Sequence, residues 1–189
     1  MKVFLKNKKY VLLSLFIYLI VLIWIIAFKM NMKQAIFECM YTFSKCSIGQ
    51  RFNVAINSFN LVKGLANLDF YVNILLFIPL GFYTIILFER RSFIIGFIFS
   101  SFLTLSFEII QLFTAIGFYS FLDIISNILG FILGYIIFIY LKRIIKDNIL
   151  NRFFIIFTIL LILIASYGII NTIINIDIYS LSSYTRRVL

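Results

Sequence analysis

The sequence predicts an all-α integral membrane bundle of about five transmembrane helices, with the N-terminus inside and the C-terminus outside. Three observations predict it. Apolar residues make up 63% of the 189 residues and charged residues 13%, against roughly 45–50% and roughly 25% in soluble domains. A domain this small has too much surface to hide such a composition from water. The apolar residues fall into uncharged runs close to the ~20 residues that cross a bilayer core of about 30 Å. The Lys and Arg residues gather at alternate ends of those runs. One proline and eight glycines exclude collagenous and linker-rich classes. Two cysteines make no disulfide framework, and the absence of histidine removes the usual nitrogen ligand, so no metal and no cofactor are expected.

The first span covers residues 10–28, behind the basic segment "MKVFLKNKK". Its apolar run is longer than that of a signal peptide and no small-x-small cleavage site follows, so it reads as a retained anchor. The second span covers 70–88. Residues 92–122 carry a single charge, Glu108, and are too long for one helix. The turn residues of "FTAIGFYSF" (113–121) therefore predict a hairpin, with the third span ending near Phe113 and the fourth starting near Phe121. The fourth uncharged run is 124–141 and the last 153–176. Backbone in lipid must be helical or closed into a barrel, and no period-2 alternation is present.

The one sizeable polar stretch is the 29–69 loop, expected outside the cell. Within it, "RFNVAINSFNLVKGL" places Phe52, Ala55, Ile56, Phe59 and Val62 on one side at helical spacing. Asn53, Asn57, Asn60 and Lys63 fall on the other, a pattern that fits one amphipathic helix in the membrane interface and equally a plain surface loop. Cys39 and Cys46 share this loop; a disulfide between them and two free thiols both remain open.

The net charge of +10 reads as topology rather than nucleic-acid binding, for which no fold signature exists. With the N-terminus inside, Lys2, Lys6, Lys8, Lys9, Arg90, Arg91, Lys142, Arg143, Lys146 and Arg152 all lie on the cytoplasmic side. The opposite turn at 114–121 carries no charge, which satisfies the positive-inside rule. The whole chain, 1–189, is expected to form one multi-span domain of the plasma membrane, with the lipid bilayer as its first partner.

Polar groups inside spans are costly and mark functional interiors. In the third span Ser101, Thr104, Glu108 and Gln111 recur at steps of three and four and share a face. In the fourth, Asp123, Asn127, Gly130 and Gly134 do the same, and the second span contributes Asn73. Glu108 lies about 24 Å along its helix from the inner end at 1.5 Å per residue. Asp123, Asn127 and Asn73 lie within the first turns of helices entering from outside. Three helices thus carry carboxylates or amides to one outer depth, which predicts a polar pocket open to the outside, with Asn73 and Asn127 as hydrogen-bond donors to Glu108. Singly, each residue has a plainer reading: Asp123 as a helix N-terminal charge, Gln111 and Asn127 as interhelical hydrogen-bonding groups. Gly130-x-x-x-Gly134 reads as a close helix contact, and Pro79 as a kink in the second span, with Gly81 near it.

The strings "NILLFIPLGF" (73–82), "FEIIQLF" (107–113) and "DIISNILGFILG" (123–134) together resemble the VanZ-like family, membrane proteins related to a teicoplanin-resistance protein. The resemblance covers about 70–138. Its signature positions fall on Asn73, Pro79, Gly81, Glu108, Gln111, Asp123, Asn127, Gly130 and Gly134. Where family members commonly carry "R-x-F-D-x-D-D", this chain has Gly117, Ser120 and Leu122 at the first Arg and the first two Asp positions. The resemblance implies a non-enzymatic cell-envelope protein and a part in antibiotic resistance. With the pocket it yields a ligand expectation: an amphipathic glycolipid or glycopeptide at the outer leaflet, such as a cell-wall lipid precursor or a lipoglycopeptide, bound through Asn73, Glu108, Gln111, Asp123 and Asn127. The alternatives are a small transporter or accessory membrane subunit, and an intramembrane enzyme using Glu108 and Asp123 as a carboxylate pair. No histidine, serine–lysine motif or phosphate loop accompanies that pair, and no catalytic residue is assigned.

Overall fold

The structure, a computed structural model, describes residues 8–28, 45, 47–88, 92–114 and 119–175. Among the described residues the regular elements are all helices, with no strand. In chain order the helices are α1 (Lys8–Phe28), α2 (Ile48–Ser58), α3 (Leu61–Leu65), α4 (Leu68–Phe88), α5 (Ser92–Thr114), α6 (Phe121–Ile144) and α7 (Asp147–Asn175). Four of these, α1, α4, α5 and α6, are long and apolar enough to cross a membrane. α7 has 29 residues, about 43 Å at 1.5 Å per residue. It begins six residues before the uncharged run at 153–176. Residues 115–118 of the expected hairpin, Gly117 among them, lie outside the described residues, as do Cys39 and Cys46.

The expected single amphipathic helix is two helices, and this corrects the sequence reading. α2 begins at a capping box, in which the Ser47 hydroxyl accepts from the Gln50 N–H at 3.3 Å and the Gln50 side chain accepts from the Ser47 N–H at 2.8 Å. It ends at Phe59, whose backbone is extended (φ −64°, ψ 112°) and whose N–H turns to the Ile56 carbonyl. Asn57 and Asn60 flank the break, and such short polar side chains compete with the helix for backbone partners. Of the five residues expected on the apolar face only Ala55 is buried; Val62 is 78% exposed. Phe52 and Phe59 reach the start of α6 instead, through ring contacts with Phe121.

The centre of the bundle is the pair α4 and α6, which run parallel. Gly130 lies against the Ile74 carbonyl, Gly134 against the Ile78 carbonyl, and Gly81 against the backbone of Phe131 to Tyr135. A β-carbon at any of the three would collide with backbone, so only glycine allows this approach. α4 continues unbroken through Pro79. α5 runs antiparallel to both: Phe93 meets Tyr135 at 5.1 Å between ring centroids, and Gly96 lies beside Phe131 and Thr84.

α1 and α7 close the other side around a buried chain of hydroxyls. Tyr83 and Ser14 are 2.6 Å apart, Ser14 and Thr158 are 2.7 Å apart, and Thr158 donates to the Phe154 carbonyl at 2.7 Å. Each hydroxyl carries one proton. Thr158 therefore accepts from Ser14, and Ser14 from Tyr83. Tyr18 donates to the Leu76 carbonyl at 2.6 Å and lies against the Tyr83 ring. These contacts set α1 antiparallel to α4.

The directions of the four apolar helices polarise the bundle. Lys8, Lys9, Lys142 and Arg143 collect at one end, while Asp69, Glu108 and Asp123 collect at the other.

Candidate functional site

A cavity of about 170 Å³ opens at the carboxylate end of the bundle. All five residues expected at the pocket line it: Asn73 from α4, Glu108 and Gln111 from α5, Asp123 and Asn127 from α6. Asp69 and the apolar side chains of Ile25, Ile26, Val72 and Leu76 complete the wall. The sequence reading missed these. Asp69 stands one residue ahead of the uncharged run, and nothing in a linear pattern indicates that the end of α1 would face the start of α4.

α5 presents its polar residues on one buried stripe. Ser100 and Thr104 have no exposure, Glu108 is 1% exposed and Gln111 4%. The serine on this stripe is Ser100, not the expected Ser101, because a step of four from Thr104 stays on the face that a step of three begins to leave. Helical periodicity then carries Glu108 and Gln111 to the cavity, and Thr104 to α6.

Glu108 is held by the next turn of chain. Its Oε2 accepts the backbone N–H of Ser120 at 2.7 Å, at the residue that caps α6. This departs from the expected donors. The Asn127 amide nitrogen donates to Thr104 Oγ1 at 2.8 Å instead, which fixes α6 to α5. Asn73 is half-buried on the wall. Ser120, where the family pattern has an Asp, thus serves through its main chain. The negative charge of Glu108 also reaches Tyr119, whose phenol pKa is raised, first by burial and second by that carboxylate.

Two acceptor atoms on the wall are left over. The side-chain carbonyl oxygens of Gln111 and Asn127 are buried and have no hydrogen-bond partner among the described residues. Among the described residues no cluster of three His, Cys, Asp or Glu side chains could hold a metal ion. The lining combines carboxylates, amide oxygens and an aliphatic side. Such a surface can bind a donor-bearing head whose body is apolar.

Pro79, Gly81, Gly130 and Gly134 stand away from the cavity lining. Their place is in and beside the α4–α6 seam, where the glycines set the separation of the two helices that carry Asn73 and Asp123.

No solved structure matches the chain. Protein VanZ of Enterococcus faecium is 33% identical over 121 residues, which cover 62% of this chain and 66% of that protein. A family described as VanZ/LLP1 matches residues 15–146, a stretch that reaches beyond the resemblance at 70–138 to take in most of α1 and holds every candidate site residue. With the greater part of its length matched, the cavity and its glycine seam included, this chain is a membrane protein belonging to the VanZ/LLP1 family.

Proposed function

We propose that this chain is a non-enzymatic, multi-pass protein of the plasma membrane whose cavity binds an amphipathic glycolipid or glycopeptide at the outer leaflet, and that it thereby contributes to resistance to glycopeptide antibiotics of the teicoplanin type. The observation that carries the reading is the convergence of Asn73, Glu108, Gln111, Asp123 and Asn127 on one cavity with an aliphatic side. Polar groups placed that way within apolar helices are costly unless used.

In this reading α7 is the fifth span, the N-terminus is inside and the C-terminus outside. The grouping of Lys8, Lys9, Lys142 and Arg143 at one end supports that orientation, because basic residues near span ends stay in the cytoplasm. The cavity then opens outward, at the level of lipid headgroups. With about 170 Å³ available, close to an engineered cavity of ~150 Å³ that admits benzene, the site takes a headgroup or a single substituent and leaves the body of the ligand in the bilayer.

The test is expression in a susceptible Gram-positive host. Wild type is expected to raise the teicoplanin concentration that stops growth. Glu108→Gln and Asn73→Ala are expected to lower it toward the empty-vector value at equal membrane abundance. Wild-type protein that leaves susceptibility unchanged would refute the resistance role and favour a transporter or accessory subunit.

A further inference from the structure

We infer that the head taken by this cavity is uncharged and donates hydrogen bonds to the side-chain oxygens of both Gln111 and Asn127. The inference rests on the proposed reading of the same cavity as a ligand site, and names what that site recognises. Gln111 is 4% exposed and Asn127 2% exposed, both line the cavity, and neither side-chain oxygen has a hydrogen-bond partner among the described residues. Buried carbonyl oxygens are ordinarily paired, and an orphan in a native site calls for a partner. Here two of them, from α5 and α6, belong to the wall of one cavity.

The two oxygens are held differently. The Asn127 amide nitrogen is fixed on Thr104, so its oxygen is held on the other arm of the planar amide. Gln111 ends in a torsion that is broad and soft, so its oxygen can swing toward a bound head at little cost. A fixed acceptor beside an adjustable one suits a small head that carries more than one donor.

The charge of the head follows from what the wall already satisfies. Asp69, Glu108 and Asp123 each take part in an interaction within the protein, Glu108 through the Ser120 N–H. The unmet demand on the wall is therefore that of two neutral carbonyl oxygens, which accept only, so their partner must be a donor. Taking a charged head out of water costs far more than taking a hydroxyl or an amide, and these oxygens return no opposite charge for it. A phosphate or carboxylate head would bring acceptors where donors are needed. Ile25, Ile26, Val72 and Leu76 would then receive the start of the ligand's apolar chain. Two sources share the remaining chemistry: the hydroxyls of a sugar, and the N–H groups of a primary carboxamide.

The test uses the full chain in nanodiscs of phosphatidylglycerol and follows thermal unfolding with amphiphiles that share one apolar chain. Dodecyl glucoside and dodecanamide present the two sources. At least one is expected to raise the midpoint by several degrees, as binding to the native state alone requires, and the larger rise identifies the source. The per-O-methylated glucoside and N,N-dimethyldodecanamide keep the acceptors and lose every donor; they are expected to leave the midpoint unchanged. Gln111→Met removes one orphan oxygen at similar volume. Without amphiphile it should unfold no lower than wild type, because an unsatisfied buried acceptor adds nothing to stability, and with the active amphiphile its rise should shrink to a fraction. If that variant gives no cooperative transition, the comparison of each amphiphile with its methylated form still decides on the wild type. Equal rises with and without the donors, or in wild type and variant, would mean that the amphiphile acts through the bilayer, and would overturn the inference. A rise with dodecylamine or dodecanoate alone would overturn the uncharged head and keep the ligand cavity. No rise with any head would mean that water alone serves the two oxygens, and would overturn both readings.

Discussion

The backbone N–H of Ser120 donates to Glu108 Oε2 at 2.7 Å, so the carboxylate of α5 is bound to the first residue of the chain that returns as α6. Glu108 is 1% exposed, and a buried carboxylate requires such a partner. Glu108→Ala removes the acceptor and is expected to cost about 1–3 kcal/mol, the range for a lost hydrogen bond that leaves a donor unpaired. Glu108→Gln keeps an acceptor and should cost less. Thermal unfolding in detergent orders the three proteins; equal stability of the alanine and glutamine variants would show that the bond contributes nothing.

Tyr119 reports on the same carboxylate from outside the spans. Its phenol pKa is raised by burial and, secondarily, by Glu108. The folded protein therefore holds that proton more tightly than the unfolded chain, and this contribution to stability is complete below the ordinary tyrosine pKa of about 10 and is lost as pH rises through the raised folded value. Glu108→Gln should move the Tyr119 midpoint part of the way down, with burial retaining the larger share. Carbon-13 NMR of labelled tyrosine measures it; a midpoint unmoved by the substitution would exclude coupling between the two groups.

Gly134 faces the Ile78 carbonyl with no room for a side chain. Gly134→Ala should force α4 and α6 apart and cost about 1–3 kcal/mol or more, as overpacking does. Gly49 on α2 offers the contrast, because a β-carbon there meets nothing within 4 Å. Gly49→Ala should be neutral or stabilising by up to ~1 kcal/mol through helix propensity. Unfolding midpoints that fall equally would contradict the seam.

Ser14 links Tyr83 of α4 to Thr158 of α7. Ser14→Ala and Tyr83→Phe should each cost on the order of 1 kcal/mol, the typical value for a hydrogen bond within a membrane bundle being ~0.6. Because they remove one shared bond, the double variant should lose less than the sum. Strict additivity in a double-mutant cycle would show that the hydroxyls do not act as a chain.

The orientation of the bundle is open to direct labelling. In a variant whose native cysteines are replaced by serine, Ala66→Cys, exposed between α3 and α4, should react with an impermeant maleimide in intact cells. Lys146→Cys, exposed between α6 and α7, should react only after the membrane is opened. Labelling of Lys146→Cys in intact cells would reverse the topology.

What the sequence by itself determined is what depends on position along one helix. Uncharged length set the apolar helices, because a bilayer core imposes its thickness on every span. Steps of three and four put Thr104, Glu108 and Gln111 on one stripe. Distance from the helix ends brought Asn73, Glu108, Asp123 and Asn127 to one level, and the five candidate residues do share a cavity. The break at Phe59 was hidden by an apolar spacing that ran straight through it. The tertiary structure alone decided which faces touch. That α4 and α6 lie parallel depends on three glycines meeting opposing backbone. That Glu108 accepts from Ser120, while Asn127 donates to Thr104, depends on how α5 and α6 pack against one another. Ile25 and Ile26 reach the site because Ser14, Tyr83 and Thr158 tie α1 and α7 to α4. Periodicity and depth are properties of a single helix in a slab, whereas lateral neighbours are chosen by shape and hydrogen bonding between helices, which no one segment encodes.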